Sequence, residues 1–307
     1  MYDIIFIRKY KAKWGDELKN FKLKQGNNRV YQISKSVYDE ATQKRPLYYD
    51  MENDKCYAIC PQCDNPIQLI GLYKQIKVSP YGKHYPHSIP LAAYNQQAYE
   101  YCPYHNKHYV FDKNVRKRQL TEFEKNIYVT ARENFDSAIY ILSQQLNIKV
   151  TMRMAEDILK SYTVHEAWMY PWATLNNIPW MLGYFLPARS LYKQLIKTDS
   201  ELYQAIQNNC PKAEFDQSQY YKDYSVLNKT GWPGIMSTMI LHNREVVDDT
   251  VKETIVHNVF FDNDDNQSIY RKVFEIDERY FLNLINSEKR YRNEQLLELA
   301  QKYMPDL

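Results

Sequence analysis

The chain has 307 residues, 44% of them hydrophobic and 25% charged, enough for a real core and about two domains. Its 40 Lys and Arg stand against 37 Asp and Glu, and the resulting net charge of +3 is too mild to imply a polyanionic partner by itself. With 7 glycines and neither a GxxxxGK[ST] nor a GxGxxG run, nothing supports a P-loop or Rossmann nucleotide site.

The N-terminal apolar run, Ile4-Ile5-Phe6-Ile7, is too short for a secretory signal and reads as a strand. Short strands are also expected at Val30–Ile33, Leu47–Tyr49, Cys56–Ile59, Ile67–Ile70 and Tyr109–Phe111, with a turn at Asp64-Asn65-Pro66. Residues 1–118 therefore read as a small β-rich domain.

Within it lie two matched knuckles, Cys60-Pro61-Gln62-Cys63 and Cys102-Pro103-Tyr104-His105. Two residues between donors let one tight turn offer both to a single metal, and two such turns complete a tetrahedron. Asp64 and Asn106 follow the second donor of each pair, where a knuckle turns through the left-handed region that Asp and Asn tolerate. The spacing predicts a structural Zn2+ on Cys60, Cys63, Cys102 and His105, with His84, His87, Cys56 and His108 as alternative donors. Five cysteines, three of them in the knuckles, suit metal in a reducing, cytoplasmic setting better than a disulfide framework.

The segment Ile59 to Cys63, the Ile67–Ile70 strand, Lys74, Lys77 and finally Lys83-His84-Tyr85-Pro86-His87 resembles the zinc-ribbon head of competence CoiA-like proteins. The resemblance covers about 30 residues. It implies a nucleic-acid-associated zinc ribbon in a bacterial, phage or mobile-element setting. The nuclease domain of that family is not matched, because no acidic residue followed by an ExK pattern stands in an alternating strand context.

Behind the second knuckle, Lys107, Lys113, Arg116, Lys117 and Arg118 interleave with Tyr109 and Phe111. Cations among aromatics can pair phosphates and stack bases, so this run is the expected contact to DNA or RNA; its alternative is a solvated linker.

From Leu120 the character changes. Thr121-Glu122-Phe123-Glu124 is a capping box, followed by Phe123, Ile127, Ala131, Phe135, Ala138, Leu142 and Leu146 at helical spacing. Thr151 predicts a second helix start, and Leu191–Ile206 and Asp277–Tyr303 carry further helical patterns, with residues 207–276 less regular. Residues 119–307 thus read as a mainly helical domain, and the whole as α+β.

Between Glu166 and Arg189 there is no charge, but Pro171, Asn176, Asn177 and Pro179 break the run, so it reads as a buried hairpin or interaction surface and not as a membrane span. The Trp168–Tyr184 region is accordingly the candidate surface for a protein partner or a second copy, in a defence or counter-defence factor. His165, His242 and His257, with Glu166, Asp248, Asp249 and Glu253, could serve a metal-dependent hydrolase, but no HExxH or comparable signature accompanies them, and the reading inclines away from an enzyme.

Overall fold

The computed structural model describes residues 18–26, 29–73, 79–105, 112–230, 233–247, 250–263, 267–277, 279–288 and 292–307. The strands expected at Ile4–Ile7 and Tyr109–Phe111 lie outside them. The chain is α+β, and its sheets are antiparallel.

The N-terminal part, here the head, contains β1 (Asn20–Phe21), β2 (Tyr31–Gln32), α1 (Lys35–Thr42), β3 (Tyr49–Asp50), β4 (Lys55–Ile59), β5 (Pro66–Ile70), β6 (Tyr81–His84) and α2 (Gln96–Glu100). β3 to β6 form one four-stranded meander in chain order. Its core holds Leu18, Phe21, Tyr38, Ile67 and Leu69, and the Tyr38 hydroxyl donates to the Tyr48 and Tyr57 carbonyls at 2.7 and 2.9 Å. Burying the Tyr38 ring is thus compatible with its polar tip.

The remainder, here the body, opens with α3 (Glu122–Glu133), α4 (Phe135–Leu146), α5 (Met152–Val164) and α6 (Ile178–Phe185). The capping box forms: Glu124 accepts from the Thr121 backbone N–H at 3.0 Å. The Thr151 side chain caps α5 through Met154 N–H. The uncharged segment becomes core, with Trp168, Trp172, Trp180 and Tyr184 all buried. α6 is buried all round, as its composition requires of a helix with no polar face. Gly183 sits where α6 meets α4 and the sheet, and a Cβ there would press into Leu142 and Met239. No helix among the described residues is long and apolar enough to cross a membrane.

The second half is less helical than its periodicity predicts. Leu191–Ile206 contributes β8 (Leu195–Lys197) beyond the short β7 (Arg189–Ser190), and only then α7 (Glu201–Asn209). β8 joins β9 (Glu214–Gln217) and β10 (Tyr224–Lys229) in a three-stranded sheet ordered β8-β10-β9. The stretch expected to be less regular forms the longest strands among the described residues, β11 (Ile235–Val247), β12 (Thr250–Phe261) and β13 (Ser268–Glu275), in a sheet ordered β13-β12-β11-β7. The cause is legible locally: Thr250 to Phe261 is dense in β-branched and aromatic residues. The C-terminal stretch yields two helices, α8 (Tyr280–Ile285) and α9 (Glu294–Tyr303).

The β11–β12 hairpin joins the two parts. Ile235, Met239, Ile255 and Val259 lie in the body core, whereas Val246 and Val251 near its tip pack on the head core. Along β11, odd residues face inward as far as Met239 and even residues do so from His242. The switch is a bulge: Ile240 pairs with Val256 and Asn243 with Thr254, leaving one extra residue on β11. Leu241 absorbs it at φ +52°, exposed to solvent. Without that bulge, strict alternation would turn Leu241, Asn243 and Glu245 inward in place of His242 and Arg244.

Candidate metal centre

Cys60 ends the hydrogen-bonded pairing of β4 with β5, and the turn to Asn65 carries Cys63. It closes through Cys60 N–H to Asn65 O (2.8 Å) and Asp64 N–H to Cys60 O (3.1 Å). Asp64 adopts the expected left-handed conformation at φ +57°. Its carboxylate pairs with the Lys22 ammonium and accepts from Gly26 N–H, fastening the knuckle to β1. Asn65 donates to Cys63 Sγ at 3.4 Å and exchanges hydrogen bonds with the Asn95 backbone, so the two donor segments are cross-linked behind the site.

The fourth donor atom close enough to share a metal ion with the three thiols belongs to His84, not to His105. β6 pairs with β5 so that His84 lies opposite Ile67, and its inward face carries Gly82 and then His84. Donor atoms of Cys60, Cys63, His84 and Cys102 all lie within 4.8 Å of one another. The separations are 3.8 Å for Cys60 Sγ to Cys102 Sγ, 3.3 Å for Cys63 Sγ to His84 Nε2 and 3.6 Å for Cys102 Sγ to His84 Nε2. Tetrahedral zinc with bonds of about 2.3 Å to sulfur and about 2.0 Å to nitrogen spaces its ligand atoms by about 3.8 Å (S···S) and about 3.5 Å (S···N). The donor set fits the ion in chemistry and in size. Burial pushes the His84 imidazole down, but the charge of Cys63 and Cys60 overrides it and raises the group to about 11. A metal replaces the protons shared in such a cluster, so its binding is linked to proton release.

His105 is exposed and its ring stacks on Tyr99 at 3.8 Å, outside the donor group. His84 occupies the place that spacing alone had given to His105, because a strand terminus from the intervening segment arrives first. Cys56 is buried in β4, and His87 is exposed beside Tyr85; neither belongs to the cluster. His108 lies outside the described residues.

The basic run is largely used inside the fold. Lys107 lies outside the described residues. Lys117 is buried and pairs with Glu124 at 2.9 Å; burial lowers its ammonium, and the Glu124 charge only partly restores it. Lys113 sits over the Tyr184 and Phe185 rings, and Arg116 sits over Phe185 while donating to the His165, Lys113 and Val115 carbonyls. Arg118 is exposed. A phosphate would have to displace partners that Lys117 and Arg116 already hold.

A second buried group bridges the knuckle to the hairpin; the sequence marks its His242 and Glu253 as candidate acid–base groups but not their link to Gln62, Arg244 and Asn177. The Gln62 side chain, inside the first knuckle, accepts from Arg244 Nη2. Arg244 Nε lies 3.3 Å from Glu253 Oε2, and Glu253 Oε1 meets His242 Nε2 at 2.7 Å and Asn177 Nδ2 at 2.6 Å. Burial alone would push the Glu253 carboxyl up, but Arg244, His242 and Asn177 bring it below its ordinary value. The His242 ring is enclosed by Tyr170, Trp172 and Tyr184. Arg244 and Glu253 are cross-strand partners in a hairpin, so the alternation of β11 and β12 was the signal that could have found them.

The three histidines considered for hydrolysis are not brought together. His242 is locked in this network, and His257 is buried, shares a hydrogen bond of 2.9 Å with Ser237 and is lowered by burial to about 3. His165 is half-buried at the C-terminal end of α5, its ring 5.9 Å from that of Phe185. Among the described residues, one group of three or more His, Cys, Asp and Glu could hold a metal, and it is the Cys/His cluster.

No model of a known protein family, no curated protein and no solved structure matches this chain.

Proposed function

We propose that the protein is a structural-zinc nucleic-acid-binding protein whose head is a zinc ribbon. The observation that carries this reading is the buried arrangement of Cys60, Cys63, His84 and Cys102 at tetrahedral separations. Three thiolates and one imidazole fill four positions and leave none for water, so the metal holds structure and activates no substrate. His84 belongs to the segment through which the head resembles CoiA-like ribbons, which favours a nucleic-acid-associated role in a bacterial, phage or mobile-element setting.

The other readings have less behind them. Hydrolysis would draw on His165, His242 and His257, two of which serve the core. A protein interface through Trp168–Tyr184 would have to open the body's interior, because those side chains are buried.

The test is fluorescence anisotropy of the zinc-loaded protein against labelled single-stranded DNA, duplex DNA and RNA, at low and moderate salt. Binding that falls steeply with salt and prefers one of the three is expected. No binding to any of them at low salt refutes the nucleic-acid reading while leaving the zinc site intact.

A further inference from the structure

Five tyrosines among the described residues are exposed: Tyr140, Tyr192, Tyr220, Tyr221 and Tyr280. α4 is buried along its length except at Tyr140 and Gln144, one turn apart, with Gln145 half-buried. Tyr140 is 53% exposed on α4, and just beyond that helix Lys197 N–H donates to the Asn147 carbonyl at 2.9 Å, Lys197 being the cross-strand partner of Tyr224 at the start of β10. Tyr224 in turn meets Tyr221 edge to face at 6.3 Å. Tyr220, 87% exposed, is the most solvent-facing large hydrophobic side chain among the described residues.

The turn that presents Tyr220 and Tyr221 is held in shape. Ser218 Oγ accepts from both backbone N–H groups at 3.3 and 3.1 Å, Tyr224 N–H closes onto the Tyr221 carbonyl at 3.0 Å, and Gln217 Nε2 donates to the Lys222 and Tyr224 carbonyls. The Lys149 ammonium stands 5.0 Å over the Tyr221 ring, and Lys222 is exposed on the turn, against one carboxylate there, Asp223.

We propose that Tyr140, Tyr220 and Tyr221, with Lys149 and Lys222, form a stacking platform for single-stranded nucleic acid. The inference rests on the nucleic-acid reading above and moves its contact surface from Lys107–Arg118 to the body. Exposed aromatic faces on a preorganised turn stack bases without sequence preference, and interleaved ammonium groups pair with the phosphates between them. The Lys149 ammonium over the Tyr221 ring and Lys222 one residue further on place positive charge at the ring, where a base-stacked strand carries its phosphates.

The experiment titrates zinc-loaded protein into fluorescein-labelled oligothymidylate, and into a duplex of the same length, at several salt concentrations. Three variants accompany the wild type: Tyr140→Ala/Tyr220→Ala/Tyr221→Ala, Lys149→Ala, and Arg118→Ala as a comparator on the knuckle run. All five positions lie at the surface or partly so, and zinc content with circular dichroism verifies that each variant folds. The wild type is expected to prefer the single strand. The triple variant should bind it about 100-fold more weakly or worse, since each stacked base contributes on the order of tenfold. Lys149→Ala should flatten the slope of log K against log salt by about 0.7. Unchanged affinity in a folded triple variant overturns the platform, and loss of binding in Arg118→Ala instead returns the contact to the knuckle run with the nucleic-acid reading preserved. Failure of the wild type to bind any strand overturns the platform and that reading together.

Discussion

His84 and His105 show how little separates a ligand from a bystander in primary structure. Both are histidines a short distance from cysteines, and His105 has the better spacing. The difference is made by β6, which ends on His84 with its side chain directed at Cys63 and Cys102. The expected outcome follows: His84→Ala lowers zinc stoichiometry and destabilises the head, whereas His105→Ala keeps one zinc per chain. Metal analysis after dialysis against a weak chelator measures both, and equal zinc retention in the two variants rejects the assignment. Lys117 teaches the same lesson for charge. In the sequence it belongs to a basic run; in the fold it is buried against Glu124, whose second oxygen caps α3.

At the level of elements, the bulge in β11 has the largest leverage. A leucine in the left-handed region carries a penalty of about 1 kcal/mol or more, tolerated here because it keeps His242 and Arg244 facing inward. Leu241 is 56% exposed, so its side chain returns little packing energy. Leu241→Gly should therefore raise stability by about 1 kcal/mol without disturbing the hairpin. Urea denaturation reads this as a higher midpoint at unchanged slope. A lower midpoint would mean that Leu241 packs in a way its exposure does not suggest.

For the whole molecule, the chain of contacts from Cys63 through Gln62 to Arg244, Glu253, His242 and Asn177 ties the metal site to the body's core. Buried charges so connected are costly to leave half-paired, on the order of 3–5 kcal/mol when one partner is removed. Loss of the metal should thus loosen more than the head. Hydrogen exchange after chelation is expected to show faster exchange in β4–β6 and in residues 243–247 and 250–254 of the hairpin, with α4, α5 and α6 still protected. Uniform loss of protection, or loss confined to β4–β6, would contradict a link through Gln62.

The sequence by itself determined the local features: the cysteine turn with its left-handed Asp64, the capping box at Thr121, the cap at Thr151, the short strands around the first knuckle and the exclusion of a membrane-length helix from an interrupted apolar run. Each depends on neighbours within a few residues, where backbone preference and hydrogen-bond reach decide the outcome. The tertiary structure alone decided the fourth donor, the fate of the basic run and the meeting of Gln62 with Arg244. His84 meets cysteines 21 and 18 residues away, Arg116 a carbonyl 49 residues away, and Gln62 and Arg244 are separated by 182 residues. No local pattern encodes such a meeting; it exists only once two surfaces have been buried against each other and every polar group between them has had to find a partner.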